Sequence, residues 1–183
     1  MDEVATKLCH RFIDDEPPED AVATVAAAFT SSVGDIATTL RALFATEVFR
    51  TRRGTMLKRP LRYVLSTLRG VDASTNCGPP VLRYLERMGH APFQYPTPDG
   101  YAMEAAPWLG TLLWRWNFAL ELTRGAVSGS TVDQDALSRR AGGAKAVAAH
   151  VLGRAPQSDE WNTLAASPQW LALLLASPAF QYH

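Results

Sequence analysis

The chain has 183 residues, with Lys plus Arg and Asp plus Glu equal at 18 each. That length suffices for a domain with a real core, and balanced charge leaves no global field to draw nucleic acid or an anionic membrane. Cys9 and Cys77 stand far apart without CxxC spacing, which argues against a disulfide framework or a zinc site, and no apolar run approaches the ~20 residues of a membrane span. The charge is nevertheless uneven: residues 1–20 hold seven acids against two bases, and residues 50–62 hold six bases and no acid. The start, MDEVATKLCHRF, has no apolar segment of the signal-peptide kind, so the chain as written is expected to stay in the cytoplasm.

The apolar period is 3.6 nearly throughout, and no stretch alternates as a strand. A first helix is expected over 3–13, with Asp2 as N-cap and Val4, Leu8 and Phe12 on one face. Pro17-Pro18 breaks it. A second follows over 19–30, rich in alanine, with Val22, Val25, Ala26 and Phe29 inward. Gly34-Asp35 stops it and caps a third over 36–49, striped by Ile36, Leu40, Leu43, Phe44 and Val48. The basic stretch 50–59 reads as a loop. Pro60 suits the first turn of a fourth helix, 60–70, where its missing N–H costs nothing. A turn through Asn76, Gly78 and Pro79 leads to a fifth over 80–88, closed by Gly89 at the C′ position.

Next comes a loop with four prolines (Pro92, Pro96, Pro98, Pro107) and the aromatics Phe93, Tyr95 and Tyr101. Proline fixes φ and lowers the entropy lost on ordering, so this loop is built to hold one shape. Asp99-Gly100 marks a turn in it. Helix six, over 108–124, carries Leu109, Leu112, Leu113, Trp114, Trp116, Phe118 and Leu120. A helix apolar on most sides is expected in the core. Residues 126–131 (AVSGST) read as a hinge. Beyond it come helices over 133–141 and 144–152, a helix capped by Ser158, and a last one opened by Ser167-Pro168. The expected organisation is a main helical domain over 1–125, the hinge at 126–131, and a looser C-terminal helical lobe over 132–183 packing on it. The segment Leu40–Phe49 echoes Leu171–Phe180, each an apolar helix end followed by a hydroxyl residue and a Phe tucked back onto the helix.

The catalytic signatures are missing. The four histidines, His10, His90, His150 and His183, form no HxH or HExxH pair, so no metal ligand is assigned. His10 and Asp14 sit i, i+4, the spacing of a surface pair. His90 opens the aromatic loop and is of a type that titrates near neutrality. There is neither a phosphate-binding glycine loop nor a GxSxG elbow, and no cofactor is implied. The six bases lack the interleaved aromatics of a nucleic-acid site and read as a solvated face or a partner for the acidic N-terminus. Arg115 and Asn117 lie inside the most apolar helix. Buried polar groups need partners, and the carbonyls of the 90–101 loop are the expected ones.

Four blocks and the ending are similar to the C-terminal part of a bacterial family, domain of unknown function 1800. Ala5-Thr-Lys-Leu-Cys-His-Arg-Phe12 resembles its A-x-K-L-x-x-x-F helix, and Gly34-Asp35 through Phe49 its G-D-L…L-x-x-S-P-E-F block, with Thr46-Glu47-Val48 replacing S-P-E. Lys58-Arg59-Pro60 resembles K-x-P. Met88-Gly89-His90 through Tyr101, Trp108-Leu109 and Arg115–Ala119 resemble M-G-Q-P…P-x-G-Y…W-L…R-x-N-F-A. Leu175–Gln181 resembles L-A-S-P-E-F-Q. His90 stands where Gln is usual, Arg62 where an acid is common, and the segment from Leu109 to Arg115 is shortened. The resemblance implies relatives with a further N-terminal half, rich in histidine and aromatics and often exported. It assigns no activity.

The reading that follows is an all-α, orthogonally packed domain of about eight to ten helices with one ordered proline- and aromatic-rich loop. Its expected role is that of a non-enzymatic binding or assembly module, a short or truncated relative of that family. His90, Phe93, Tyr95, Asp99, Tyr101, Arg115 and Asn117 form the expected surface for a protein partner or a second copy. The alternative is a subunit or fragment of an enzyme whose catalytic residues lie in the N-terminal half. Its mark would be a pocket joining His90, Asp99, Arg115 and Asn117.

Overall fold

A computed structural model describes residues 2–183, the side chain of Asp2 excepted. The cap expected of Asp2 therefore lies outside what is described. The described residues form twelve α-helices, one 3-10 helix and a two-stranded ladder. The protein is all-α. It divides into two compact units: residues up to Leu57 with Ala102–Ala105 and His183, and Lys58–Tyr101 with Ala106–Tyr182.

The first unit holds α1 (Asp2–Phe12), α2 (Glu19–Ser31), α3 (Ile36–Ala45) and α4 (Glu47–Thr51). Pro18 takes the N-cap position of α2. Asp35 caps α3 as expected, its carboxylate accepting from the Thr38 N–H at 2.8 Å. The buried residues are Ala5, Cys9, Ile13, Ala21, Val25 and Leu43, so α1 is turned one residue from the expected face. Val4 and Phe12 are exposed, and the narrow Ala5 and Cys9 go inward, where small side chains let α2 come close. On α3, Thr39 is buried in place of Ile36 and donates its hydroxyl to the Asp35 carbonyl at 2.7 Å. The acidic N-terminus does meet the basic stretch: Arg52 bonds Asp14 at 2.7 Å. Asp14 takes Arg52 rather than the expected His10.

The second unit contains α5 (Pro60–Gly70), β1 (Ser74–Thr75), α6 (Pro79–Arg87), the 3-10 helix (Ala106–Thr111), α7 (Leu112–Thr123), β2 (Ser130–Thr131), α8 (Gln134–Ala141), α9 (Ala144–Leu152), α10 (Ser158–Ala165), α11 (Trp170–Ala176) and α12 (Pro178–Gln181). Its core gathers Tyr63, Leu85, Met88, Phe118, Leu122, Val147, Leu171, Leu174, Leu175 and Phe180. α7 packs chiefly on α11. The strands run antiparallel, Ser74 opposite Thr131 and Thr75 opposite Ser130. The division between units falls at 57–58, and residues 126–131 lie inside the second unit. There the Asn76 N–H donates to the Gly129 carbonyl at 3.0 Å. Gly129 has φ +75, and a Cβ on it would stand 2.6 Å from Asn76 Oδ1, so only glycine fits.

α7 is not wrapped by core on all sides. Phe118, Ala119, Leu122 and Arg115 are buried, whereas Leu112, Leu113 and Trp116 are exposed, Leu113 to 65%. The helix buries its arginine and shows leucines to solvent, the inverse of what apolarity alone predicts.

The echo between Leu40–Phe49 and Leu171–Phe180 is structural. Thr46 ends α3 and caps α4 with φ −63 and ψ 145; Ser177 ends α11 and caps α12 with φ −65 and ψ 150. Each hydroxyl donates to a carbonyl three residues back at 2.7 Å (Leu43, Leu174) and accepts from a Phe N–H three residues on at 3.3 Å (Phe49, Phe180). These two breaks raise the helix count above the expected range. α10 also differs at its start: Glu160 reaches back to the Gln157 N–H at 2.7 Å, so the cap position is Gln157, not Ser158. Ser177→Ala should lose about 1 kcal/mol in chemical denaturation, and Ser177→Asp, which keeps a capping oxygen, should lose far less.

Candidate functional site

The proline and aromatic loop begins where α6 ends. Gly89 adopts φ +69, its N–H bonds the Glu86 carbonyl at 2.8 Å, and the His90 N–H bonds the Leu85 carbonyl at 2.8 Å. This paired pattern is the glycine-terminated helix end the sequence predicts. It delivers His90 into an aromatic stack. The His90 ring lies over Trp108 at 5.0 Å between centroids and 25°. Tyr101 meets His90 edge-on at 4.4 Å, and Tyr95 meets Tyr101 at 4.7 Å. The Tyr101 hydroxyl donates to the Ala91 carbonyl at 2.6 Å, closing the loop on itself. Gly100 takes φ +77 in the Asp99-Gly100 turn.

Phe93 stands apart from this stack. Its ring is fully exposed and its backbone holds φ +61, a left-handed conformation that costs a Cβ-bearing residue roughly 1–2 kcal/mol. Tyr95 is 41% exposed, and Asp99, also exposed, accepts from the Thr97 hydroxyl at 3.3 Å.

The stack rests on a polar network beneath it. Thr111 donates to the Trp108 carbonyl at 2.6 Å and accepts from Arg115 Nε at 2.9 Å. Arg115 is 0% exposed. Its Nη1 donates to Gln181 Oε1 at 2.8 Å, and its guanidinium lies 5.2 Å from the centre of the Tyr63 ring. The Tyr63 hydroxyl donates to the Arg115 carbonyl at 2.9 Å. Arg115 thus fixes the loop through Thr111 and Trp108, not through the loop carbonyls expected to receive it. Asn117, two residues on and so on another side of α7, is half-buried and takes no part.

The electrostatics follow from burial. Desolvation, aided by the charges of Arg59 and Arg115, pushes His90 down to about 4, so its ring is neutral at physiological pH. Its Nδ1 accepts from the Leu61 N–H at 3.2 Å. His90 is a structural acceptor and not a titrating group near neutrality. Burial also lowers Arg115 to about 10, against Tyr63 and Tyr182, which act to raise it; it stays charged. The sequence does not announce Lys58, which is 8% exposed with Nζ 3.5 Å from the centre of the Phe180 ring. Desolvation, then the charges of Arg62 and Arg115, lower it to about 8.

A family model described as Protein of unknown function (DUF1800) matches residues 1–182. The chain is a DUF1800 protein. No curated protein and no solved structure matches it. Of the seven expected site residues of this DUF1800 domain, the structure brings together His90, Tyr95 and Tyr101, and ties Arg115 to them through Thr111. Phe93 sits at the loop's outer end, while Asp99 and Asn117 stay outside the network. None of the described cavities is lined by His90, Asp99, Arg115 and Asn117 together. A cleft of 210 Å³ is lined instead by Pro80, Arg83, Tyr84, Arg87, Glu121 and Val127, among others. Among the described residues, no helix is long and apolar enough to cross a membrane. Among the described residues, no group of three or more His, Cys, Asp or Glu is placed to hold a metal ion.

Two outcomes test the stack. Trp108 is 5% exposed, and Trp108→Ala should cost about 3–5 kcal/mol in chemical denaturation. His90 has a folded pKa of about 4 against an ordinary 6.5, so its contribution is complete above pH 6.5 and is lost as pH falls from 6.5 through about 4. Melting curves across that window should show a loss in the native chain that His90→Gln reduces.

Proposed function

We propose that this DUF1800 domain is a non-enzymatic binding or assembly module that presents the 90–101 loop to a protein partner or to a second copy of itself. The observation that carries the reading is Phe93. Its ring lies wholly in solvent on a backbone at φ +61, so within the chain it costs stability and buries nothing. Such strain is maintained where the surroundings over-determine it, and it concentrates at functional positions. Around it the prolines and the locked pair of Tyr101 and His90 lower the entropy of ordering that binding would otherwise demand.

Phe93 and Tyr95 are the anchors in this reading, since aromatic side chains dominate interface energetics. Tyr101, His90 and Arg115 hold the loop, and Asp99 supplies a polar edge. The exposed side of α7 extends the surface: Leu109 adjoins Trp108 in sequence and is 48% exposed, and Leu112, Leu113 and Trp116 follow at helical spacing. Large apolar side chains left exposed at this spacing are the kind from which interaction faces are built.

The test is a photo-crosslinking residue at position 93 in the native host, with exposed Thr163 as control position. A discrete adduct specific to position 93, with a partner or a second copy, supports the reading; equal labelling at both positions or none at 93 defeats it. Phe93→Gly separates binding from folding. It should leave stability unchanged or raise it by up to about 1 kcal/mol, because glycine relieves the positive φ, while removing the adduct partner in a pull-down. A strongly destabilised Phe93→Gly would show the ring to be structural.

A further inference from the structure

The second unit buries two cations and no anion. Arg115 is 0% exposed and Lys58 8%, and both are tied to Gln181: Arg115 Nη1 bonds its side chain at 2.8 Å, and the Lys58 N–H bonds its carbonyl at 2.8 Å. Beneath them lies one aromatic pair, Tyr63 and Phe180, 5.8 Å apart. Arg115 stands over the first ring and Lys58 over the second. Desolvation, then the charges of Arg62 and Arg115, lower the lysine's affinity for its proton.

A buried charge needs a counter-charge or a full set of hydrogen bonds. Here neither is complete. Among the described residues of this unit, every Asp and Glu is exposed except Glu160, and Glu160 is held by Arg154 at 2.7 Å. Arg115 Nη2 is buried and has no hydrogen-bond partner. Ring faces supply part of the compensation through cation–π contacts. They leave the donor on Nη2 unmet, and a buried donor left unmet costs about as much as such a contact returns.

We propose that Arg115 Nη2 and the Lys58 ammonium form a site for a small oxyanion, a carboxylate or a phosphate group. Arg115 keeps Nε and Nη1 on Thr111 and Gln181, which fixes the direction of its remaining donor. Lys58, a point charge on a flexible four-carbon stem, adjusts to the second oxygen. The site shares Arg115 with the network that holds the loop, but it does not depend on the docking role.

The probes are inorganic phosphate and acetate, titrated into the full chain at pH 7 with ionic strength held constant by sodium chloride. Denaturation midpoints should rise saturably with at least one of them, as required for a ligand that binds the folded state. In Lys58→Met the half-saturating concentration should rise at least tenfold, and in Arg115→Met the effect should vanish. The Arg115 Nε–H resonance of the native chain should shift with the same half-saturation, which keeps the test decisive if Arg115→Met does not fold. A larger response to acetate assigns a carboxylate, and a larger response to phosphate a phosphate group. A stabilisation of equal size in the native chain and in Lys58→Met would be a general salt effect and would overturn the proposal. So would an Arg115 resonance indifferent to both anions.

Discussion

The second unit is organised by a positive charge placed inside it. Arg115 occupies the inner face of α7, where periodicity alone would put a leucine, and its contacts draw in three other elements. The Tyr63 hydroxyl binds its carbonyl from α5, Gln181 receives its guanidinium from α12, and Thr111 relays it to the Trp108 carbonyl in the 3-10 helix. Trp108 then supports His90, His90 meets Tyr101, and Tyr101 meets Tyr95. A continuous path runs from a charge in the core to the outermost loop. Burying arginine is expensive, and the network explains why α7 turns Leu112, Leu113 and Trp116 outward: the inner face is already committed.

The two units share one local device. A hydroxyl residue stops a helix by donating to its last turn and starts the next by accepting from a Phe N–H. In both units it bends the chain sharply without glycine and drops an aromatic ring back onto the core: Phe49 packs against the first cluster, and Phe180 lies within the second. In the second unit the bend has a further consequence. It places Phe180 and Gln181 where Lys58 and Arg115 meet them, so the geometry of the cation pair depends on Ser177.

Local chemistry was legible in the residues, and long-range partnership was not. Asp35, Pro60 and Gly89 each act within one turn of helix, and each does what its type and spacing imply. The all-α class and most helix bounds follow from the same short-range rules. The side of a helix that meets the core is a different matter. α1 carries apolar side chains on adjacent stripes, and the one chosen, Ala5-Cys9-Ile13, wins because narrow residues admit α2. Arg115 was recognisable as a polar group needing a partner, yet Gln181 lies 66 residues away and nothing local names it. Lys58 reads as one more base in a basic stretch until Phe180 is seen beneath it. His90 reads as a titrating group because its protonation is set by burial against Trp108 and Tyr101 and by the charges of Arg59 and Arg115, none adjacent in sequence.

The proposed role requires a 90–101 loop that is rigid up to and including a phenylalanine that the fold itself does not use. Backbone order parameters from amide relaxation measure this directly. Values of ~0.85 are expected from His90 through Tyr101, Phe93 among them, as in rigid backbone. Values below ~0.6 across Phe93–Asp99 would contradict it, because a loop that samples many shapes presents no preformed surface, and the positive φ of Phe93 would then be one conformation among many.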